Sequence, residues 1–434
     1  MSAIGLASGR WRPARFLAAL ALAAAMASPG FAATVRVTPG ESIQARIDQA
    51  APGDVIEIER GHYRENLRIE TSLTLKGIDR PTIDGGLSGH TIFVTAEDVT
   101  IDGLIVIDSG DSLREQNSGI YIWPGAHGAV IRNCDLVYNL FGLWIEKAND
   151  VLVENNLIVG KRDYRSSMRG NGIQLYNTRR AQIIGNNIGF VRDALYVDVS
   201  HDAIFRGNRL HHSRYGTHYM NSYRNLWEDN DVYLNRGGLA LMEVREQVVR
   251  NNRVWANSDH GIMLRTIWDT VVENNIIAGN DRALFMYDAY FNELRGNLVI
   301  DNIVGAHVWA GSKDNVIEGN DFIGNREQIR YVAARDQLWG VKDGNHWSSY
   351  LGWDRDGDGV GDVPYEANDM VDRLAWRHPM TKILLASPAI QTLRMVARQF
   401  PLLRAPSIVD PNPRLKPQNE HWRDWFGKHF PGSR

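Results

Sequence analysis

The chain has 434 residues, and its 48 Lys/Arg against 51 Asp/Glu give a formal net charge of −3. That balance leaves no basic footprint for nucleic acid, and the length is ample for a large core. A single cysteine, Cys134, excludes an internal disulfide and reads as a buried structural thiol.

The N-terminus carries Arg10, Arg12 and Arg15, then an apolar run from Phe16 to Ala27, then Gly30-Phe31-Ala32. A basic region, an apolar segment too short to span a bilayer and a small-x-small site predict a cleaved secretory signal over residues 1–32. Arg10-Trp11-Arg12 is not a twin-arginine pair. The mature chain is therefore expected in a bacterial periplasm, with no later segment apolar enough to cross a membrane. Glu41–Ala51 places Ile43 and Ile47 at helical spacing, which predicts a short helix plugging the N-terminal end of a stack of repeats.

The repeats are expected over 33–340. Less regular units lie around Asp54–Glu59, Ser72–Lys76 and Val99–Ile107. An Asn-Asn or Gly-Asn pair then recurs about every 22 residues, its second member at Cys134, Asn156, Asn187, Asn208, Asn230, Asn252, Asn275, Asn297 and Asn320. A column of small residues keeps the same beat: Gly119, Gly142, Gly172, Ala194, Gly216, Gly238, Gly261, Ala283 and Gly305. The one long step comes from a charged insert, Lys161–Gly170, expected to loop out. After each small residue apolar positions alternate with variable ones, as in Leu143/Ile145 and Ile262/Leu264. Period two is a strand with one buried face. Two further short strands flank each Asn pair, as Val151–Val153 and Leu157–Val159 do. Three strands per repeat leave no room for a helix, so the expected fold is all-β, a right-handed single-stranded parallel β-helix rising about 4.8 Å per coil. Stacked Asn amides would form a ladder, and small residues would suit a tight bend.

The alternation defines an outer face. Its residues read Tyr121/Trp123, Trp144/Glu146, Gln174/Tyr176, Tyr196/Asp198, His218/Met220, Ala240/Met242, Met263/Arg265, Phe285/Tyr287 and His307/Trp309. Met220, Met242 and Met263 thus share a face on three successive coils, beside His218 and near His201, His211, His212 and His260. Thioether and imidazole ligands select copper(I). The same face also fits metal-free docking of a partner, because Met and aromatics make an adaptable apolar surface. His212 falls on an inward position and fits a satisfied core histidine. A third reading is an exported polysaccharide lyase, hydrolase or epimerase with sugars stacked on the aromatic columns. Glu146, Asp198 and Arg265 sit in separated coils, and no acid cluster appears locally, so no catalytic residue is assigned.

Residues 341–372 form an Asp/Gly-rich segment. Asp354, Asp356, Asp358 and Asp362 alternate around Gly359 in the order of a calcium loop, with Tyr365 where the bidentate Glu would stand. A structural calcium site is expected there, with a metal-free Asp/Gly turn as the alternative. Residues 373–434 hold a mixed aliphatic and basic stretch, Thr381–Leu403, then Pro411, Pro413, Pro417, Trp422, Trp425 and Phe426. Such a segment has little core of its own and reads as a partly helical arm that lies on a partner.

Ser42-Ile43-Gln44, Pro52-Gly53-Asp54 and Gly61-His62-Tyr63 resemble the first coil of carbohydrate-binding and sugar-hydrolase type β-helices. Asn345-x-Trp347-x-x-Tyr350-x-Gly352-x-Asp354, running into Gly357-Asp358-Gly359-x-Gly361-Asp362-x-Pro364-Tyr365, is more specific. With the coils before it and Ser407-Ile408-Val409-Asp410-Pro411 after it, this ending resembles the NosD family. The resemblance implies a non-enzymatic periplasmic role in maturing the copper centres of nitrous oxide reductase. It implies the reductase, an ABC transporter membrane subunit and a copper chaperone as partners, and copper or sulfur as cargo. The arm from Thr381 onward would dock on the transporter, so the membrane is met only through it.

Overall fold

The computed structural model describes residues 32–309, 311–332, 335–367, 407–420 and 422–429, with isolated positions between 380 and 396. The expected signal segment, but for Ala32, and most of Thr381–Leu403 lie outside them. Among the described residues no helix is long and apolar enough to cross a membrane.

The chain winds into a parallel β-solenoid of about 14 turns. Three long sheets run its length. The first has 13 strands from Thr34–Val37 to Val316–Glu318, the second 12 from Leu67–Ile69 to Glu327–Val332, and the third 13 from His62–Tyr63 to His346–Trp347. Successive coils pair in parallel register, as Leu143, Trp144, Ile145 and Glu146 do with Ile173, Gln174, Leu175 and Tyr176. Alternation sets the facing: Leu143 and Ile145 are buried, while Trp144 and Glu146 turn outward. The core is a set of aliphatic stacks such as Ile262 on Leu284 and Leu264 on Met286.

Asn side chains tie the turns together. Asn230 Oδ1 accepts the Asn208 backbone N–H and the Asn208 amide, each at 3.0 Å, while Asn230 Nδ2 donates to the Phe205 carbonyl at 2.9 Å. The ladder differs from the expected column at one rung. Asn156 bonds to Asn186, 30 residues on, and Asn187 opens the next strand. The Asn-Asn pair after the insert hides which member is the rung. A second ladder, Ser213, Asn235, Asn257, Asn280, Asn302 and Asn325, runs beside the second sheet. The small column also has a different cause from the expected bend. A Cβ at Gly238 would lie 2.3 Å from the Gly261 carbonyl oxygen, so the demand is close approach of the next coil rather than a left-handed backbone. Cys134 is fully buried in the Asn column, and burial pushes its thiol up to about 12. The insert does leave the stack, but its first residue, Lys161, stays buried and pairs with Asp111.

Both ends are closed. At the start, the helix Ile43–Ile47 is capped by Ser42 Oγ, which accepts from Ala45 N–H at 3.2 Å, and it buries Ile43 and Ile47. At the other end the last rung, Asn345, donates to Asp410 Oδ2 from its backbone at 2.9 Å and its amide at 3.0 Å. Trp347 Nε1 donates to the same oxygen at 3.0 Å, and the Trp347 ring stacks on Phe322 and Tyr365, each at 4.4 Å. Strand Ile408–Asp410 joins Gln337–Leu338 and Tyr365–Ala367 in a small sheet across this end. The segment expected to lie on a partner therefore covers this chain's own core over Ser407–Asp410. The helix Trp422–His429 does likewise, setting Trp422, Trp425 and Phe426 against Ala278, Leu298, Ile300 and Ile323. These aromatics find an apolar patch on the third sheet that the alternation alone does not reveal.

Candidate metal face and an adjoining groove

The outer face of the second sheet carries the expected methionines. Tyr219 and Thr217 are fully buried, which turns His218 and Met220 outward. Register then fixes two columns. Met220 pairs with Met242, and Met242 with Arg265; His218 pairs with Ala240, and Ala240 with Met263. Met220 and Met242 are thus direct neighbours on adjacent coils, about 4.8 Å apart in backbone spacing. The third, Met263, is diagonal to Met242. Ala240, a residue with little bulk, separates His218 from Met263. The Tyr196 hydroxyl donates to Met220 Sδ at 4.0 Å.

His218 is half-buried against Asp193, whose Oδ2 lies 3.4 Å from Nδ1, and Arg214, whose Nη2 lies 3.3 Å from it. Asp193 and Arg214 both meet Nδ1, the first as an acceptor and the second as a donor, and between them they fix the position of the ring. Asp193 is fully buried and accepts from Arg214 Nε at 2.8 Å. Burial raises its carboxyl, but the bonds from His218 and Arg214 outweigh that and hold it below the usual range.

The other histidines divide among faces. His211 and His212 lie on the third sheet with their Nδ1 atoms 2.9 Å apart. His212 is exposed at a turn with φ +51°, so it is not the core residue expected. Burial, then repulsion from His212, pushes His211 down to about 4. His201 stacks on Tyr223. His260, on the strand that carries Met263, is buried, and its Nε2 has no partner among the described residues.

Beside the metal face the same sheet forms a groove of about 600 Å³. Glu146, Asp193 and Asp198 all line it. Glu146, Tyr176 and Asp198 stand in one register column. Trp144, Gln174, Tyr196 and His218 stand in the next, and Asn171 and Asp193 line the near edge. Glu146 and Asp198 line one groove but stand two coils apart with Tyr176 between them, and Arg265 is not among the lining residues. The Tyr121 hydroxyl donates to Glu146 at 2.7 Å. Two polar atoms in the groove wall, Trp144 Nε1 and Asn171 Oδ1, have no partner among the described residues.

The Asp/Gly loop gathers Asp354, Asp356 and Asp358, with one oxygen of each within 4.8 Å of the others. Asp362 is directed elsewhere, to the Arg355 amide at 2.6 Å. Asp354 accepts from the Gly357 and Gly359 amides at 2.6 and 2.9 Å, and Asp358 accepts from Val360 at 2.8 Å. The Gly359 amide leads in holding Asp354 below the usual carboxylate range, while neighbouring Asp358 raises Asp356. Gly357 and Gly359 take φ of +79° and +88°, where side chains are strained. Tyr350 and the other glycines around the loop serve the cap, whereas Trp353 is exposed. A Cβ at Gly352 or Gly361 would fall 2.0 Å from Tyr350 Oη.

A family model described as "Periplasmic copper-binding protein (NosD)" matches residues 154–352. A protein of Pseudomonas aeruginosa, "Probable ABC transporter binding protein NosD", is 38% identical over 421 residues, spanning 92% of this chain and 97% of its own. One of Stutzerimonas stutzeri with the same name is 34% identical over 372 residues, spanning 82% and 85%. Among solved structures, the A-module of the Azotobacter vinelandii mannuronan C-5 epimerase AlgE6 is similar, with a TM-score of 0.55 and 16% identity. It covers 68% of this chain and 95% of that one, a likeness of fold alone.

Proposed function

The chain belongs to the NosD family, and from that premise we propose that it is a periplasmic accessory protein that binds copper(I) at Met220, Met242, Met263 and His218. In this reading it takes copper from a chaperone and hands it to nitrous oxide reductase, working with the membrane subunit of an ABC transporter. It acts as a binding protein and not as an enzyme. The observation that carries the reading is the direct pairing of Met220 with Met242, with His218 and Met263 beside them on an outer face. Soft ligands presented at a surface suit transfer better than permanent storage. The relatives' name as transporter-binding proteins supports the partner, and residues 373–406 are the segment we assign to that contact. Asp354, Asp356 and Asp358, without Asp362, are assigned to a calcium ion that stiffens the end cap.

The test is reductase produced in a strain whose only copy of this gene carries Met220→Leu, Met242→Leu and Met263→Leu. Copper-poor reductase supports the reading. Reductase with full copper contradicts it, and a cluster lacking only sulfide would make sulfur the cargo.

A further inference from the structure

We propose that the groove beside the metal face binds a short linear peptide with both termini free, a function that the copper reading does not require. The charges in the groove decide the class of ligand. Asp193 is neutralised by Arg214, and Glu146 meets Lys147 at 3.3 Å. Two charges are left over. Arg192 lines the groove at one edge and forms no ion pair among the described residues. Asp198 lines it at the other, accepts from the Asn221 amide at 3.3 Å and meets no cation among the described residues. A site with one open cation and one open anion fits a ligand that carries both signs at separate ends.

The distance between the two charges sets the length of that ligand. Arg192 precedes the six-residue strand Asp193–Asp198, and Asp198 ends it, so their backbones stand roughly 20 Å apart. Both side chains reach into the groove, which leaves space for three or four extended residues, roughly 10–13 Å. A groove of about 600 Å³ holds a molecule of that size.

The wall between the charges identifies the middle of the ligand. Asn171 is 6% exposed and donates from Nδ2 to Gln174 at 2.7 Å, yet its Oδ1 has no partner among the described residues. Trp144 Nε1, on the adjoining coil, is a buried donor in the same state. Native proteins leave few buried polar atoms open, so an open acceptor and an open donor point to a ligand that supplies one of each. A peptide unit does so, with its N–H for Asn171 Oδ1 and its C=O for Trp144 Nε1. A linear diamine offers no acceptor to Trp144, and a dicarboxylate offers no donor to Asn171. The rings of Trp144, Tyr176 and Tyr196 line the same groove and give apolar side chains a surface. Every strand lining the groove is already paired on both sides, so recognition runs through side chains and termini and not through strand addition.

The experiment is calorimetric titration of the mature full chain with trialanine and with a tripeptide bearing a central phenylalanine, each supplied free, N-acetylated and C-amidated. The free forms should bind, the phenylalanine peptide more tightly, and either block should weaken binding by about tenfold. Arg192→Gln should erase the penalty for amidation, and Asp198→Asn the penalty for acetylation. Trp144→Phe keeps the ring but removes the N–H, and should weaken all forms alike by about tenfold. Circular dichroism of each variant verifies that the solenoid is intact. The proposal is overturned if neither tripeptide binds, or if Arg192→Gln and Asp198→Asn leave both penalties unchanged. Blocked forms that bind the wild type as tightly as free ones would also overturn it, assigning the groove to an internal segment of a longer protein.

Discussion

The Asp354–Asp362 loop and the Met220–Met263 face both collect side chains of kinds that can ligate metals, but they are assembled in opposite ways. The loop is built from one short stretch of chain whose carboxylates are occupied by their own amides, such as Gly357 and Gly359 on Asp354. The face exists only because three coils stack in register, and its sulfurs have little to do with one another in sequence. A local turn keeps its geometry when the rest of the molecule is strained. A face assembled from coils should lose its geometry as soon as the stack shifts.

The largest effect should come from breaking the stack between the methionine coils. Asn252 accepts from Asn230 and donates to Trp227, Arg250 and Asn275, all in buried surroundings. Asn252→Ala should cost about 3 kcal/mol, since several groups lose partners at once. Denaturant unfolding measures it, and copper(I) affinity should fall in parallel. Gly238→Val acts by the second route, forcing a Cβ toward the Gly261 carbonyl, with about 1–3 kcal/mol of overpacking. Calcium binding by the loop should survive both. Equal loss at the two places would mean that they form one cooperative unit.

Acid should separate the regions next. Burial first of all pushes His90, His211 and His307 from 6.5 to about 4. In the unfolded chain these imidazoles take protons near 6.5, whereas the folded chain resists until about 4. Their contribution is therefore complete above about 6.5 and is lost as the pH falls toward 4. Thermal melts across that window should show falling stability of the solenoid, with the slope reduced by His307→Gln. A pH-independent melting temperature would show that the imidazoles reach solvent in the folded state.

The smallest effect belongs to the loop. Calcium should raise the melting temperature of the wild type modestly, and Asp354→Asn should erase that gain while leaving copper(I) binding intact. No calcium response in the wild type would return the loop to a metal-free turn.

Legibility in the sequence divides along the same line. Period, alternation and the Asn column are local regularities, and they place His218 and the three methionines on one face. The rung at Asn186 reads as Asn187 in the sequence because an insert precedes a pair of identical residues. The groove stays hidden there for a physical reason. Asn171 precedes its strand and Asp193 opens the next, and only register across the insert puts them in one groove with Glu146 and Asp198. The cap is the extreme case: Asp410 ends the ladder at Asn345 from 65 residues away. That pairing gives the Asn345-x-Trp347 motif a structural role that no reading of spacing supplies.

The most direct test of the central claim is competition titration of copper(I) against a chelating dye, with the wild type and a Met220→Leu/Met242→Leu/Met263→Leu variant. Leu conserves volume, so the variant should melt close to the wild type. The account predicts tight binding by the wild type and loss of more than about 100-fold in the variant, beyond what losing an outer partner costs. Unchanged binding in a folded variant would contradict it and move the copper ligands away from this face.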